Sequence, residues 1–207
     1  NIRMLNMGSS RGLSAMASGI ADIAGINLIG SGEYNLEAIK GLGINNAVLV
    51  KGYRREQGLI VRKGSTIEGL DDLPGKKLIN RNRGSGTRAL LDRLLEVTAK
   101  KKGISRTELV KKIPGYSSGS KTHRSVCEVV KSGKAEVGFG IRPFAESLGL
   151  KFIPLVTEDF DFLINKEIMD IPQIKNILAV LASGEFSMLL PSGIFAYDRT
   201  GEIIENI

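Results

Sequence analysis

The stretch Lys77-Leu78-Ile79-Asn80-Arg81-Asn82-Arg83-Gly84-Ser85-Gly86-Thr87-Arg88-Ala89-Leu90-Leu91 decides the fold. Lys77–Asn80 reads as a strand. Arg81–Thr87 reads as a polar turn broken by two glycines. Arg88–Lys101 reads as a helix with leucines at 90, 91, 94 and 95, an apolar stripe along one side. A strand that feeds a helix through such a turn is the repeating unit of α/β proteins, and those turns carry binding sites.

The same alternation extends outward in both directions. Toward the N-terminus, strands are expected at 2–7, 20–28, 47–51 and 58–61, with helices at 11–18 and 36–42 and a loop opening at Gly30-Ser31-Gly32. Toward the C-terminus, helices are expected at 105–112, 122–132, 143–148, 172–182 and 185–190. Strands are expected at 135–140, 152–155 and 160–164, and 115–120 reads as a loop. Ser105 and Glu108 have capping-box spacing. The pattern predicts an α/β fold with mainly parallel sheets covered by helices. Two segments echo each other, Ser18-Gly19-Ile20-Ala21-Asp22-Ile23 and Ser132-Gly133-Lys134-Ala135-Glu136-Val137. In each, Ser-Gly ends a helix and Ala-acid-aliphatic enters a strand. One lies in each half of the chain, which suggests two similar lobes.

Composition narrows the function classes. The 207 residues carry 42% hydrophobic and 25% charged side chains, 25 glycines and a formal net charge of +7. One cysteine, Cys127, precludes an internal disulfide and a thiolate metal cluster, and one histidine, His123, precludes a histidine zinc site. No window approaches a membrane span, and no secretory leader opens the chain. The excess charge fits an anionic ligand, nucleic acid or simple solubility. Aromatic content of 5% without Trp argues against a direct nucleic-acid partner. The runs Lys100–Lys102 and Lys111–Lys112 read as a solvated face or a contact surface.

Three helix starts share one chemistry. Gly8-Ser9-Ser10, Arg83-Gly84-Ser85-Gly86-Thr87-Arg88 and Thr122-His123 each place small hydroxyl residues where backbone N–H groups lack helical partners. Such ends favour anions, and glycine lets the backbone approach closely. Arg83 and Arg88 can add charge as bidentate donors. Capping alone also accounts for Ser9, Ser10 and Thr122, and His123 reads equally as a satisfied histidine. Neither a P-loop nor a GxGxxG pattern is present. Cys127 lies in an apolar helical stripe and reads as a core thiol. Glu158, Asp159 and Asp161 cluster, but strand alternation sends neighbours to opposite faces. Catalysis is therefore not expected, and no cofactor or metal is.

These residues resemble a known family. Asn80-Arg81-Asn82-Arg83-Gly84-Ser85-Gly86-Thr87-Arg88 through Asp92 looks like the signature of the periplasmic-binding-protein-like domains associated with molybdate and molybdopterin biosynthesis. So do Arg54–Val61, Gly8-Ser9-Ser10 through Ala21-Asp22-Ile23-Ala24-Gly25, and Thr122-His123 with Ser132 to Arg142. The resemblance implies a type II two-lobed α/β fold with a hinge crossed twice. Lobe I would be 1–58 plus 159–207, and lobe II would be 59–158. It implies hinge closure on molybdate, tungstate or a related small ligand, with Ser9, Ser10, Arg83, Ser85, Gly86, Thr87, Arg88, Thr122 and His123 at the site. It also implies a sensory or delivery role, cytoplasmic or exported, beside a DNA-binding or molybdopterin-biosynthesis domain. An enzyme of molybdopterin assembly is the alternative. The family usually begins one strand and helix earlier, and often has His where this chain has Asn27.

Overall fold

The computed structural model describes residues 3–5, 7–30, 32–205 and 207. Along the chain run α1 (Ser9–Ala17), β1 (Ile23–Ile26), α2 (Leu36–Gly41), β2 (Ala47–Val61) and a 3-10 turn at Leu70–Asp72. Then come β3 (Leu78–Arg81), α3 (Gly86–Lys101), α4 (Arg106–Lys111), β4 (Gly119–Ser120), α5 (His123–Lys131), β5 (Val137–Ile141) and α6 (Arg142–Ser147). The chain closes with β6 (Lys151–Asn165), a 3-10 turn at Lys166–Ile168, α7 (Pro172–Leu181), α8 (Gly184–Leu189), β7 (Ile194–Phe195) and β8 (Ile203–Ile204). The expected α/β alternation is present.

The chain forms two compact units. Unit 1 comprises Asn1–Arg55, Gly84–Gly86 and Glu158–Ile207, and unit 2 comprises Glu56–Arg83 and Thr87–Thr157. The long strands β2 and β6 carry the chain from one unit to the other at Arg55–Glu56 and Thr157–Glu158. Gly84–Gly86, in the stretch assigned from sequence to lobe II, belongs to unit 1.

In unit 1, β1 pairs antiparallel with β6, Ile26 opposite Asp161. The first half of β2 pairs antiparallel with β7 and β8. Leu13 and Met16 of α1 and Ile39 of α2 bury against Ala24, Ile26, Leu49 and Leu163 on one face. Ile174 and Leu181 of α7 bury against Val48, Val50 and Ile164 on the other. Each fully buried aliphatic side chain contributes about 1.5–3 kcal/mol.

In unit 2, β3 runs parallel to both β4 and β5, while the second half of β2 is antiparallel to β5. Val126, Cys127 and Val130 of α5 pack on Ile60 and Ile79. A Cβ at Gly138 would lie 2.6 Å from the Val126 side chain, so this glycine lets α5 rest directly on the strand. Leu91, Leu95 and Ala99 form the buried stripe of α3.

The sheets are mixed rather than mainly parallel, because the two crossing strands run against their neighbours. Each of those strands is one element where the sequence suggested two. Their polar middles, 52–57 and 156–159, hide continuous strands whose charges are paired. The expected strand at 2–7 is absent from residues 3–5 and 7, which have no ladder partner; Ile2 and Asn6, like Ser31 of the first glycine loop, lie outside the described residues. The loop at 115–120 holds the short strand β4.

The echoed segments are equivalent in detail. α1 and α5 end with Ser18 and Ser132, followed by Gly19 at φ +68° and Gly133 at φ +76°. Ile20 N donates to Ala15 O at 2.8 Å, and Lys134 N donates to Val129 O at 3.2 Å. Both turns are left-handed glycine caps that aim the chain into a strand.

Candidate functional site

In unit 1 the sequence-predicted residues Ser9, Ser10, Ser85 and Gly86 come together. α1 begins at Gly8, whose φ of +81° lies in the left-handed region, and no side chain caps the helix. A Cβ at Gly8 would lie 3.3 Å from the Gly84 carbonyl oxygen, and Ser10 N donates to that oxygen at 3.4 Å. Ser9 is buried and does not cap. Its hydroxyl donates to Asn27 Oδ1 and accepts from Asn27 N at 3.2 Å. Ser10 is exposed, and Ser85 is buried. A Cβ at Gly86, the first residue of α3, would strike the Asn27 carbonyl and side-chain amide, so only glycine fits against Asn27.

Asn27 links this corner to a charge pair. Its Nδ2 donates to Glu158 Oε2 at 2.9 Å, and Arg55 Nε donates to Glu158 Oε1 at 2.5 Å. Glu158 and Arg55 are both buried. The Arg55 guanidinium also lies 4.4 Å over the Phe160 ring. The carboxylate is neutralised inside the unit and does not project negative charge.

A second buried network lies on the opposite face of β6. Lys51 Nζ is 2.7 Å from Asp161 Oδ2 and 3.6 Å from Asp159 Oδ2, with Lys51 1% exposed and Asp161 fully buried. Asn35 Nδ2 donates to Asp161 Oδ2 at 2.8 Å and Gly52 N to Oδ1 at 3.2 Å. Burial pushes the Asp161 carboxyl above the usual carboxylate range, and these donors offset only part of that. Burial, together with Asp161 and Asp159, also raises the Tyr197 hydroxyl. Asn35 takes φ +74° and accepts from Leu28 N at 2.7 Å, which fixes the loop after β1.

Unit 2 holds the remaining predicted residues. Thr87 is buried and accepts from Gln57 Nε2 at 2.9 Å. Arg88 is buried and engaged on two sides: Nε donates to Asp92 of the same helix at 3.1 Å, the guanidinium lies 4.3 Å over the Tyr116 ring, and the Tyr116 hydroxyl donates to Asp92 at 2.7 Å. Arg83 is exposed. Thr122 caps α5, accepting from Ser125 N at 3.0 Å. His123 stacks on Phe144 at 5.8 Å.

The groups that come together here are hydroxyls, amides and paired charges. Cys127 is buried in the core, and burial pushes its thiol up to about 11. Glu158 on one face of β6 is separated from Asp159 and Asp161 on the other, as alternation requires. Among the described residues no group of three or more His, Cys, Asp or Glu is arranged to hold a metal ion, and no helix is long and apolar enough to cross a membrane. Sequence reasoning did not find the Lys51–Asp161 and Arg55–Glu158 pairs. The available signal was two apolar strands carrying opposite charges, Lys51 to Arg55 and Glu158 to Asp161.

Known proteins are similar to this chain in sequence or in fold. The chain is 30% identical over 206 residues to the uncharacterized protein YvgK of Bacillus subtilis (strain 168), covering 95% of this chain and 63% of that one. The chain thus spans less than two thirds of that relative's length. It matches the structure of a substrate-binding protein with bound phosphate, assigned to a phosphate ABC transporter of Clostridium perfringens. The TM-score is 0.65 at 16% identity, covering 92% of this chain and 85% of that one. It also matches a substrate-binding domain assigned to a molybdenum ABC transporter of Clostridium difficile, with TM-score 0.58 at 18% identity, covering 92% and 84%. A family model described as PBP superfamily domain matches residues 1–182. With that match over most of its length, and with two α/β units joined by long crossing strands, the chain belongs to the periplasmic-binding-protein (PBP) superfamily.

Proposed function

We propose that the chain is a ligand-binding domain for a small tetrahedral oxyanion of the molybdate or tungstate class, and that it binds its ligand without converting it. The observation that carries this reading is the start of α1. Gly8 supplies no side chain, and the Ser9 hydroxyl is engaged by Asn27. The Gly84 oxygen takes Ser10 N, and the rest of the positive end of the helix is left for an external acceptor. The Gly84–Gly86 turn lies against it and brings Ser85 and the first residue of α3 alongside. Ser10 adds an exposed hydroxyl, and Arg11 an exposed positive charge. Pairing of Glu158 with Arg55 removes the nearby charge that would repel an anion. In unit 2 the starts of α3 and α5 carry Thr87 and Thr122, of the same chemistry.

Of the structural neighbours, one holds phosphate and one is assigned to a molybdenum transporter, which fits this reading, while another is an arginine-, lysine-, histidine-binding protein, so amino acids belong in the test. A sensory or delivery role beside another domain is part of this proposal. A thermal-shift panel tests the class. A ligand at about 100 times its Kd stabilises by about 2.7 kcal/mol. Molybdate, tungstate or phosphate is expected to raise the melting temperature, and chloride, acetate and amino acids are not. Stabilisation by an amino acid alone would refute the oxyanion reading.

A further inference from the structure

The formal charge of +7 is unevenly placed. Unit 2 holds 20 Lys and Arg against 10 Asp and Glu, a net +10, while unit 1 holds 9 against 12, a net −3. Within unit 2 the topology gathers the excess at one end. β3 and β5 are parallel and start together, and β2 finishes beside them: Val61 and Leu78 both lie opposite Val137. Arg62 and Lys63 follow β2, Lys76 and Lys77 precede β3, and Lys131 and Lys134 lie between the last turn of α5 and β5. Arg62 Nη1 donates to Val130 O at 3.2 Å, and Glu136 N donates to Lys77 O at 2.8 Å, which ties these loops together.

The helices deliver the rest. Lys102 pairs with Asp71 at 2.8 Å, and Gly75 N donates to Lys112 O at 2.7 Å. The runs Lys100–Lys102 and Lys111–Lys112 therefore reach the same end. Eleven cations share it with four carboxylates, Glu68, Asp71, Asp72 and Glu136, and with Glu96, Glu108 and Glu128 one turn back on α3, α4 and α5. Lys102 engages Asp71, Lys76 engages Glu136 at 3.6 Å, and Lys100 engages Glu96 at 3.6 Å. A concavity of about 270 Å³ opens there, lined by Arg62, Lys63, Ser65, Thr66 and Lys76 with Glu136 at its edge. It lies at the opposite end of the strands from the starts of α3 and α5.

The residue types select the partner. Protein interfaces are depleted in Lys and enriched in aromatic residues and Arg. This end has ten lysines, one arginine and no aromatic residue in its loops. None of the exposed large apolar side chains of the described residues falls in these loops, so nothing there would anchor in a bilayer. Lysine is a compact point charge suited to phosphates, and without aromatic rings there is no base stacking. We infer that this end of unit 2 binds the phosphate backbone of a nucleic-acid duplex without reading its sequence. The low aromatic content argues against base recognition and leaves backbone binding open.

Fluorescence anisotropy of two unrelated labelled duplexes of about 20 base pairs, titrated with the full chain, tests this. Both duplexes are expected to bind equally. With about 5 phosphates engaged, affinity should fall roughly 500-fold between 50 and 200 mM salt. Reversing the exposed charges in Lys100→Glu/Lys101→Glu/Lys112→Glu should cost at least about tenfold at 50 mM salt and flatten the salt slope by about 3. The control Lys40→Glu/Lys175→Glu, in unit 1, should bind as the parent does. Three results would overturn the inference: no binding at 50 mM salt, equal loss in the control, or displacement of the duplex by phosphatidylserine vesicles at equal phosphate.

Discussion

Replacing Lys51 by Met leaves the buried Asp161 carboxylate without its cation. Asn35 Nδ2 and Gly52 N remain as donors, at 2.8 and 3.2 Å. Breaking one side of a buried ion pair typically costs about 3–5 kcal/mol. Here the cost has a ceiling, because Asp161 can take a proton instead. Protonation costs 1.36 kcal/mol per pH unit above a carboxylate's ordinary value of about 3.9. The ceiling is therefore about 4 kcal/mol at pH 7 and about 1.5 kcal/mol at pH 5. The sign follows from linkage. Losing Lys51 raises the folded-state value of Asp161 further above its unfolded value, so the variant regains stability as pH falls toward the unfolded value. Urea unfolding at both pH values, against the parent chain at the same pH, measures this. A loss of about 3–4 kcal/mol at pH 7 that shrinks by more than half at pH 5 is expected. Lys51→Met/Asp161→Asn should recover most of it, because the amide carries no charge and still accepts from Asn35. A loss below about 1 kcal/mol, equal at both pH values, would refute the reasoning and mean that water reaches Asp161.

Further outcomes follow from the same geometry. Thr122→Ala should destabilise by about 1 kcal/mol through loss of the α5 cap, read from the urea midpoint. Ser9→Ala should cost about 1–2 kcal/mol, since Asn27 N and Oδ1 both lose a buried partner. Cys127 should resist iodoacetamide at pH 8 in the folded chain and react readily in urea, because its thiol is buried and held up to about 11; fast labelling of the folded chain would contradict its core placement.

Much of the fold was legible because its signals are local. The glycine-broken turn at 81–87, the capping box at Ser105 and Glu108, and the two Ser-Gly helix ends each specify a backbone conformation through a few adjacent residues. The crossing strands were read as pairs of shorter ones because Arg54, Arg55, Glu158 and Asp159 look like loop residues until their partners, about 100 positions away in sequence, are known. The same distance hid the site's support. Ser9 and Ser10 were readable as helix-start hydroxyls, but nothing local says that Asn27 engages Ser9. For Arg88, nothing adjacent in sequence says that the ring of Tyr116 lies under its guanidinium beside the i,i+4 partner Asp92. The uneven charge was invisible in a chain-wide sum, because only topology brings five separate basic segments to one end of unit 2.

An anion received at the start of α1 would meet Arg11, which provides the sharpest test of the proposed site. Arg11→Glu places a negative charge in the first turn of α1 at an exposed position. Such a charge favours the helix by about 0.3–1 kcal/mol, yet it would repel an anion at the same place. Isothermal titration of molybdate, tungstate and phosphate into the parent and the variant separates the two effects. Binding to the parent, with at least a tenfold loss in a variant of equal or greater stability, about 1.4 kcal/mol, is the predicted result. Unchanged oxyanion affinity in the variant, or no heat from any oxyanion with the folded parent, would contradict the account.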